Sequence, residues 1–325
     1  MLSLSLDTLI SALQDPEHAP VATSLAQLSA LADDDLARFT GVFRSLSIQR
    51  RREVIDILAD LTEDNVEFAF DRVFFLGFED PDVQVRSQSI KALWEYKGDD
   101  LARRLIQMLN DLEALVRGEA ALALGLYLTR AELNDADDPI AAEIEEALRS
   151  VYYDESQLVE VRGRALEALG IRSHEWVHDL INDAYGSGDR RLSISAVHAM
   201  GRSADPDWLP VLFDEMVSED AEMRFEAATA AGEMGDEEAV PQLAELASDE
   251  DAEVQEAAIA ALGQIGGPAS KSVLQSLATE HDDERVLDAV AEALATADFL
   301  DDPMAFKLYL DRNAADDGEE GEDEE

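Results

Sequence analysis

The chain has 325 residues, with 25 basic and 73 acidic side chains for a formal charge of −48, and 46% of its residues are hydrophobic. That apolar fraction suffices for a core, so the body is expected to fold despite its charge. The absence of cysteine excludes disulfides, thiolate metal sites and cysteine nucleophiles, and the negative field disfavours nucleic acid and anionic membrane surfaces, which need clustered cations.

Only four of the cations are lysine (Lys91, Lys97, Lys271 and Lys307), leaving 25 − 4 = 21 arginines. Abundant carboxylates with scarce lysine suit a halophilic cytoplasm, where short-range screening keeps so acidic a chain compact. The start, Met1-Leu2-Ser3-Leu4-Ser5-Leu6-Asp7, has no basic leader, and no apolar run approaches the roughly 18 residues of a membrane span. A soluble, cytoplasmic protein is expected.

Residues 1–66 read as irregular helical repeats or a cap, with Leu25, Leu28 and Leu31 on one stretch and Val54, Ile55, Ile57 and Leu58 on a later one. Arg50-Arg51-Arg52 is the basic cluster of the chain. A solvated helix face is its expected role; docking of an acidic partner or of the chain's own tail is the alternative. Phe68, Phe70, Phe74, Phe75, Phe78, Trp94 and Tyr96 follow closely. Helical spacing makes core packing their default, with any exposed surplus a partner anchor.

From residue 67 a repeat organises the sequence. Val85-Arg86 is followed eight residues on by Leu93-Trp94. The same frame returns at Val116-Arg117 with Leu124-Gly125, Val161-Arg162 with Leu169-Gly170, and Leu192-Ser193 with Met200-Gly201. Met223-Arg224 with Ala231-Gly232, Val254-Gln255 with Leu262-Gly263, and Val286-Leu287 with Leu294-Ala295 complete it. The second residue of each opening pair defines a slot, and the slots step by 31, 45, 31, 31, 31 and 32 residues. Apolar residues fall at −1, +3, +6 and +7 from the slot, a helical stripe rich in alanine. Four residues before it stands Asp82, Glu113, Asp189, Asp220, Asp251 or Asp283, with Leu158 breaking the series; an acid there opens the helix as a cap. Each unit also carries an earlier amphipathic stretch, such as Trp208-Leu209-Pro210-Val211-Leu212, with proline tolerated in a first turn. One such helix pair cannot bury its apolar face alone, so neighbours must stack.

The turn aspartate, the Val-Arg pair, the alanine stripe and the closing Leu-Gly resemble the HEAT-repeat family, in a short form similar to the repeats of phycobilin-lyase-type proteins. The resemblance covers about residues 67–297. It implies an all-α, right-handed α-solenoid of stacked antiparallel helix pairs, with HEAT-like repeats over 67–313. The 45-residue step predicts an acidic insertion near 131–141, and the like-charge run over 314–325 predicts a disordered acidic tail.

His174-Glu175-Trp176-Val177-His178 matches the zinc-protease pattern in which two histidines share a helix face and the glutamate acts as base. Alignment of the repeats puts His178 at the position of Pro210, in a first turn, and His174 in the preceding linker, so coincidence is expected and no metal or cofactor is assigned. No nucleophile elbow or phosphate-binding loop occurs. The Arg86, Arg117, Arg162 and Arg224 ladder is expected to hold neighbouring repeats in register.

In HEAT-type solenoids the second helices line the concave face, and here positions +2, +5 and +9 vary from copy to copy. Glu119, Leu122 and Leu126, then Arg164, Glu167 and Ile171, then Ser195, His198 and Arg202 are the expected binding residues. The expected function is a non-catalytic scaffold or adaptor, a monomer or weak oligomer, that binds another protein or peptide there. The resemblance implies one alternative, a tetrapyrrole- and client-binding role like that of the phycobilin lyases.

Overall fold

A computed structural model describes residues 6–65, 67–133 and 138–300; the expected tail at 314–325 lies outside them. Among the described residues the secondary structure is helical throughout, with no strand. The chain divides into two compact units, Met1–Leu169 and Gly170–Glu325.

The first unit holds α1 (Leu6–Gln14), α2 (Ala22–Leu25), α3 (Asp33–Ser45), α4 (Ile48–Asp64), α5 (Asp71–Gly77), α6 (Val83–Lys91), α7 (Asp99–Met108), α8 (Ala114–Leu133), α9 (Pro139–Tyr153) and α10 (Val159–Leu169). The second holds α11 (Glu175–Tyr185), α12 (Arg190–Ser203), α13 (Leu209–Glu215), α14 (Ala221–Met234), α15 (Val240–Leu246), α16 (Ala252–Ile265), α17 (Gly267–Glu280) and α18 (Glu284–Leu300). In each unit the slot-bearing helices pack in series: α4 on α6 on α8 on α10, and α12 on α14 on α16 on α18. From α6 onward each is backed by the helix before it, as α13 backs α14 and α15 backs α16. This is the all-α solenoid arrangement of helix pairs.

The expected caps form. Asp82, Asp189, Asp220 and Asp251 sit in extended backbone at the N-caps of α6, α12, α14 and α16, each accepting backbone N–H groups of the first turn. Asp251 accepts from Glu253 at 2.9 Å and Val254 at 3.3 Å. Asp251→Ala is expected to lower stability by about 1 kcal/mol, read from denaturant midpoints, since it leaves two amides without this acceptor.

The repeated Leu-Gly has a packing cause. A Cβ on Gly201 would lie 2.5 Å from the Ala230 Cα, one on Gly263 2.8 Å from the Ala293 Cα, and one on Gly170 2.9 Å from the Ala199 Cα. Gly232 meets Ala261 and Gly125 meets Ala168 in the same way. In every case the glycine at +8 of one copy touches the alanine at +6 of the next. The alanine stripe and the closing glycine are therefore two halves of one backbone-to-backbone contact, closer than any larger side chain permits. In the first copy Trp94 holds the glycine position; there α6 stops at Lys91 and the indole is 54% exposed.

Three of the four ladder arginines, Arg86, Arg117 and Arg224, hold neighbouring repeats as expected, whereas Arg162 bonds within its own helix pair. Arg86 donates through Nε and a terminal nitrogen to both carboxylate oxygens of Asp111, at 2.9 and 2.8 Å, and through its other terminal nitrogen to the Asp80 carbonyl. Arg224 repeats the pattern with Asp249, both bonds at 2.8 Å, and the Ser218 carbonyl. Arg117 meets Gln157 instead, at 2.9 Å, and Arg162 donates to the Tyr152 carbonyl at 2.8 Å.

The basic cluster is neither a solvated face nor a docking patch. Arg51 is buried against Asp80, 2.7 Å away, and so belongs to the ladder one repeat earlier than Arg86. Arg50 is buried and donates to the His18 and Asp15 carbonyls, while Arg52 grips Asp82 through two bonds. Their consecutive placement reads as a surface run only while the partners, about 30 residues away in sequence, are unseen.

The expected acidic loop at 131–141 is shorter than its sequence suggests. Ala131–Leu133 complete α8, and Asp138 caps α9, accepting from Ile140; residues 134–137 lie outside the described set. The 45-residue step goes largely into helix: α8 has 20 residues against 14 in α12, α14 and α16, and α9 has 15 against seven in α13 and α15. Alanine and leucine in Ala120–Leu128 favour that extension.

Candidate functional site

In the second unit, position +9 stands one residue beyond the glycine contact, where the second helices are closest. Ile171, Arg202, Glu233, Gln264 and Thr296 are the +9 residues of five successive copies, and all five line one cleft of about 480 Å³. Gly201, Gly232 and Gly235 lie among the lining residues, so part of its floor is bare backbone, and Leu300 borders it. Second helices pack about 8–10 Å apart, so five on a straight row would span some 30–40 Å. A single small cleft touching all five means that the ladder converges.

Two smaller clefts adjoin it. One is bordered by Phe225, Thr229, Ala257 and Ala260, the other by Ala260, Ala289, Glu292 and Thr296, and Gln264 lines all three. Carboxylates of Glu233, Glu253, Asp288 and Glu292 stand around them, exposed. The bordering cations are Arg202 and Arg285, the latter paired with Glu256 at 2.9 Å. Constant small residues set the helix spacing, and variable polar and apolar residues sit above them. Such a surface holds an extended or compact organic group by shape, with a few polar contacts for orientation.

Of the expected binding residues, the structure brings Ile171 and Arg202 into this cleft. His198 lies on α12 with Nδ1 3.2 Å from the Glu226 carboxylate. Ser195 is fully buried inside the fold, out of reach of an external ligand. The remaining residues belong to the first unit. Glu119 pairs with Lys91 at 3.1 Å, and Arg164 with Glu167 at 2.7 Å. Glu167 is 3% exposed, a ladder member turned inward rather than a contact. Leu122 is half-buried and Leu126 exposed on α8.

Sequence reasoning reaches Glu233 as a varying +9 position but missed Gln264, Thr296 and Leu300. The signal was available: carrying +9 into the copies at slots 255 and 287 gives the first two.

The zinc pattern does not form a zinc geometry. His174 precedes α11 in extended backbone and its ring stacks on Trp176, with centroids 5.8 Å apart. His178, inside α11, stacks on Trp208 at 4.4 Å. A pair at i and i+4 chelates only when both residues are helical. Among the described residues no group of three or more histidines and carboxylates is placed to hold a metal. A His174→Ala, His178→Ala double variant is expected to leave bound zinc unchanged by elemental analysis.

Of the clustered aromatics, Phe70 and Phe74 are buried. Phe75 meets Phe78 and Tyr96 edge-on, at 5.7 and 5.3 Å, with Arg104 over its ring at 4.7 Å. These are packing contacts. Among the described residues no helix is long and apolar enough to cross a membrane.

Residues 209–295 match the HEAT-repeat family. No curated protein matches the chain. Among solved structures, the complex of CpcE and CpcF of phycocyanin lyase from Nostoc sp. PCC7120 is similar at 18% identity, covering 91% of this chain and 95% of that one, with a TM-score of 0.45. Human deoxyhypusine hydroxylase is similar at 20% identity over 90% and 96% of the two chains, with a TM-score of 0.35. An engineered protein is similar at 20% identity over 90% and 88%, with a TM-score of 0.39. Likenesses of this size carry no inference about activity.

Proposed function

We propose that this chain, with HEAT repeats over residues 209–295, is a non-catalytic scaffold that holds a protein or peptide segment in the +9 cleft of its second unit. One observation carries the reading. Positions that set the stacking are constant glycine and alanine, whereas Ile171, Arg202, Glu233, Gln264 and Thr296 differ in size, charge and hydrogen bonding, yet line one cleft. A scaffold under packing constraint alone has no need of five chemistries at equivalent positions. A recognition surface does.

The surrounding carboxylates favour a partner with basic flanks, and the apolar floor favours one with an aliphatic or aromatic anchor. Leu122 and Leu126 of the first unit remain candidates for a separate contact on α8.

Affinity capture from native cytoplasm at native salt, followed by mass spectrometry, tests the reading. A stoichiometric partner is expected, and Ile171→Ala or Gln264→Ala should weaken its capture about tenfold, the effect of losing one well-placed contact. Val217→Ser, on the exposed turn between α13 and α14, should leave it unchanged. Equal capture by all four proteins would remove the cleft from the function.

A further inference from the structure

We propose that the chain's own residues 301–311 dock in the +9 cleft of the second unit, so that the C-terminal segment competes with whatever the cleft holds. The competition rests on the function proposed above; the docking itself does not.

The path of the chain comes first. The described part of α18 runs to Leu300, which borders the cleft, with Phe299 and Leu300 40% and 41% exposed. The next residues therefore start at the rim. Pro303 disfavours helical backbone at Asp302, so the sequence itself favours leaving the helix there. Ten extended residues reach at most about 33–36 Å, enough to cross three spacings between second helices of about 8–10 Å each.

The sequence of the segment fits what lies there. Asp301-Asp302-Pro303-Met304-Ala305-Phe306-Lys307-Leu308-Tyr309-Leu310-Asp311 carries large apolar residues at 304, 306, 308 and 310. That is a period of two, which places four apolar side chains along one edge of an extended chain. After Leu310 no further large apolar residue occurs, and the sequence turns to acid. The apolar edge needs a surface that is open and low. The cleft offers one at Gly201 and Gly232, where the helix contacts forbid a side chain.

Charge supports the same placement. Arg202, the cation lining the cleft, complements Asp301 and Asp302 at the start of the segment. Lys307, one of four lysines in the chain, meets a border carrying Glu233 and Glu292. The acidic residues beyond 313 are repelled by a chain of charge −48. That repulsion acts over about 10 Å at 0.1 M salt and about 3 Å at 1 M, whereas the apolar contact is not screened. Salt screens the two local attractions as well, but the surplus of acid in the segment and beyond it leaves net repulsion as the larger charge effect, so docking should increase with salt.

A photoreactive benzoylphenylalanine at Gln264 or, in a second protein, at Thr296 tests this in the full-length chain. Both sites are exposed and border the cleft. Irradiation at molar KCl is expected to give intramolecular cross-links that map to residues 301–311, with a lower yield in dilute buffer. Phe306→Asp with Leu308→Asp should reduce the yield several-fold. Cross-links confined to other regions, cross-links only between chains, or none from either site would overturn the proposal. Partner capture by the same Phe306→Asp, Leu308→Asp chain separates the two ideas. Intramolecular cross-links without any captured partner retain self-docking and reject the scaffold; a partner lost on cleft substitution, without such cross-links, does the reverse.

Discussion

Gly201→Ala is expected to lower the melting temperature of the full chain by several degrees, while Gly118→Ala leaves it unchanged or raises it. Both positions are helical glycines, so propensity alone favours alanine at each by somewhat under 1 kcal/mol. At Gly118 the new methyl would meet only the Arg164 side chain, at an ordinary 3.7 Å. At Gly201 it would sit 2.5 Å from the Ala230 Cα and 2.8 Å from the Ala230 carbonyl oxygen. Backbone cannot yield as a side-chain end can, so α12 and α14 must separate. Overpacking of this kind costs about 1–3 kcal/mol, or roughly 2–10 °C for a unit of this size. In a stacked array the damage stays at the interface concerned. Hydrogen exchange should therefore quicken first in α12 and α14. A Gly201→Ala chain as stable as the wild type would mean that the close contact is not what fixes glycine at +8.

Arg224→Met should destabilise the chain by about 1–2 kcal/mol near neutral pH, between the exposed and the fully buried cases for an ion pair, and should alter its response to acid. The methionine fills much of the space but leaves Asp249 without its two charge-assisted bonds and the Ser218 carbonyl without its donor. The hydrogen bonds from Arg224 hold the Asp249 carboxyl below its ordinary value, against a burial effect that raises it. Asp82 and Asp220 are lowered in the same way by Arg52 and Arg190. A carboxylate with a depressed folded-state pKa contributes stability that is fully present above its unfolded value, about 3.9. The contribution disappears as pH falls through the lowered value. The wild type should therefore lose stability on acidification below about pH 4, and Arg224→Met should lose less over that interval because part of the contribution is already gone. Denaturant titrations from pH 7 to pH 2 measure both curves. Parallel curves would show that the ladder is not coupled to Asp249.

The repeat, its caps and its stacking were legible because each rests on residues at fixed spacing. Asp251 caps its helix wherever the next repeat lies, and the alanine stripe declares its face by period alone. The ladder was legible in kind, but its partners were not: Asp111 and Asp249 are each 25 residues from the arginine they bind. The same limit explains Arg50, Arg51 and Arg52, which look like a surface run until their separate acceptors are seen. Ser195 and Glu167 were misplaced because +2 and +5 lie close enough to the neighbouring helix for a turn of the side chain to bury them.

By itself, then, the sequence determined an array of helix pairs, its slots, its alanine stripe with the closing glycine, and the identity of the variable positions. It also placed the zinc pattern across a helix start, where His174 is indeed found. Only the tertiary structure decided which variable positions converge. Periodicity fixes the direction of each side chain around its own helix, but the angle between successive helices is set by summed packing along the whole stack. That angle brought Ile171, Arg202, Glu233, Gln264 and Thr296 to one cleft, with Leu300 of α18 at its edge.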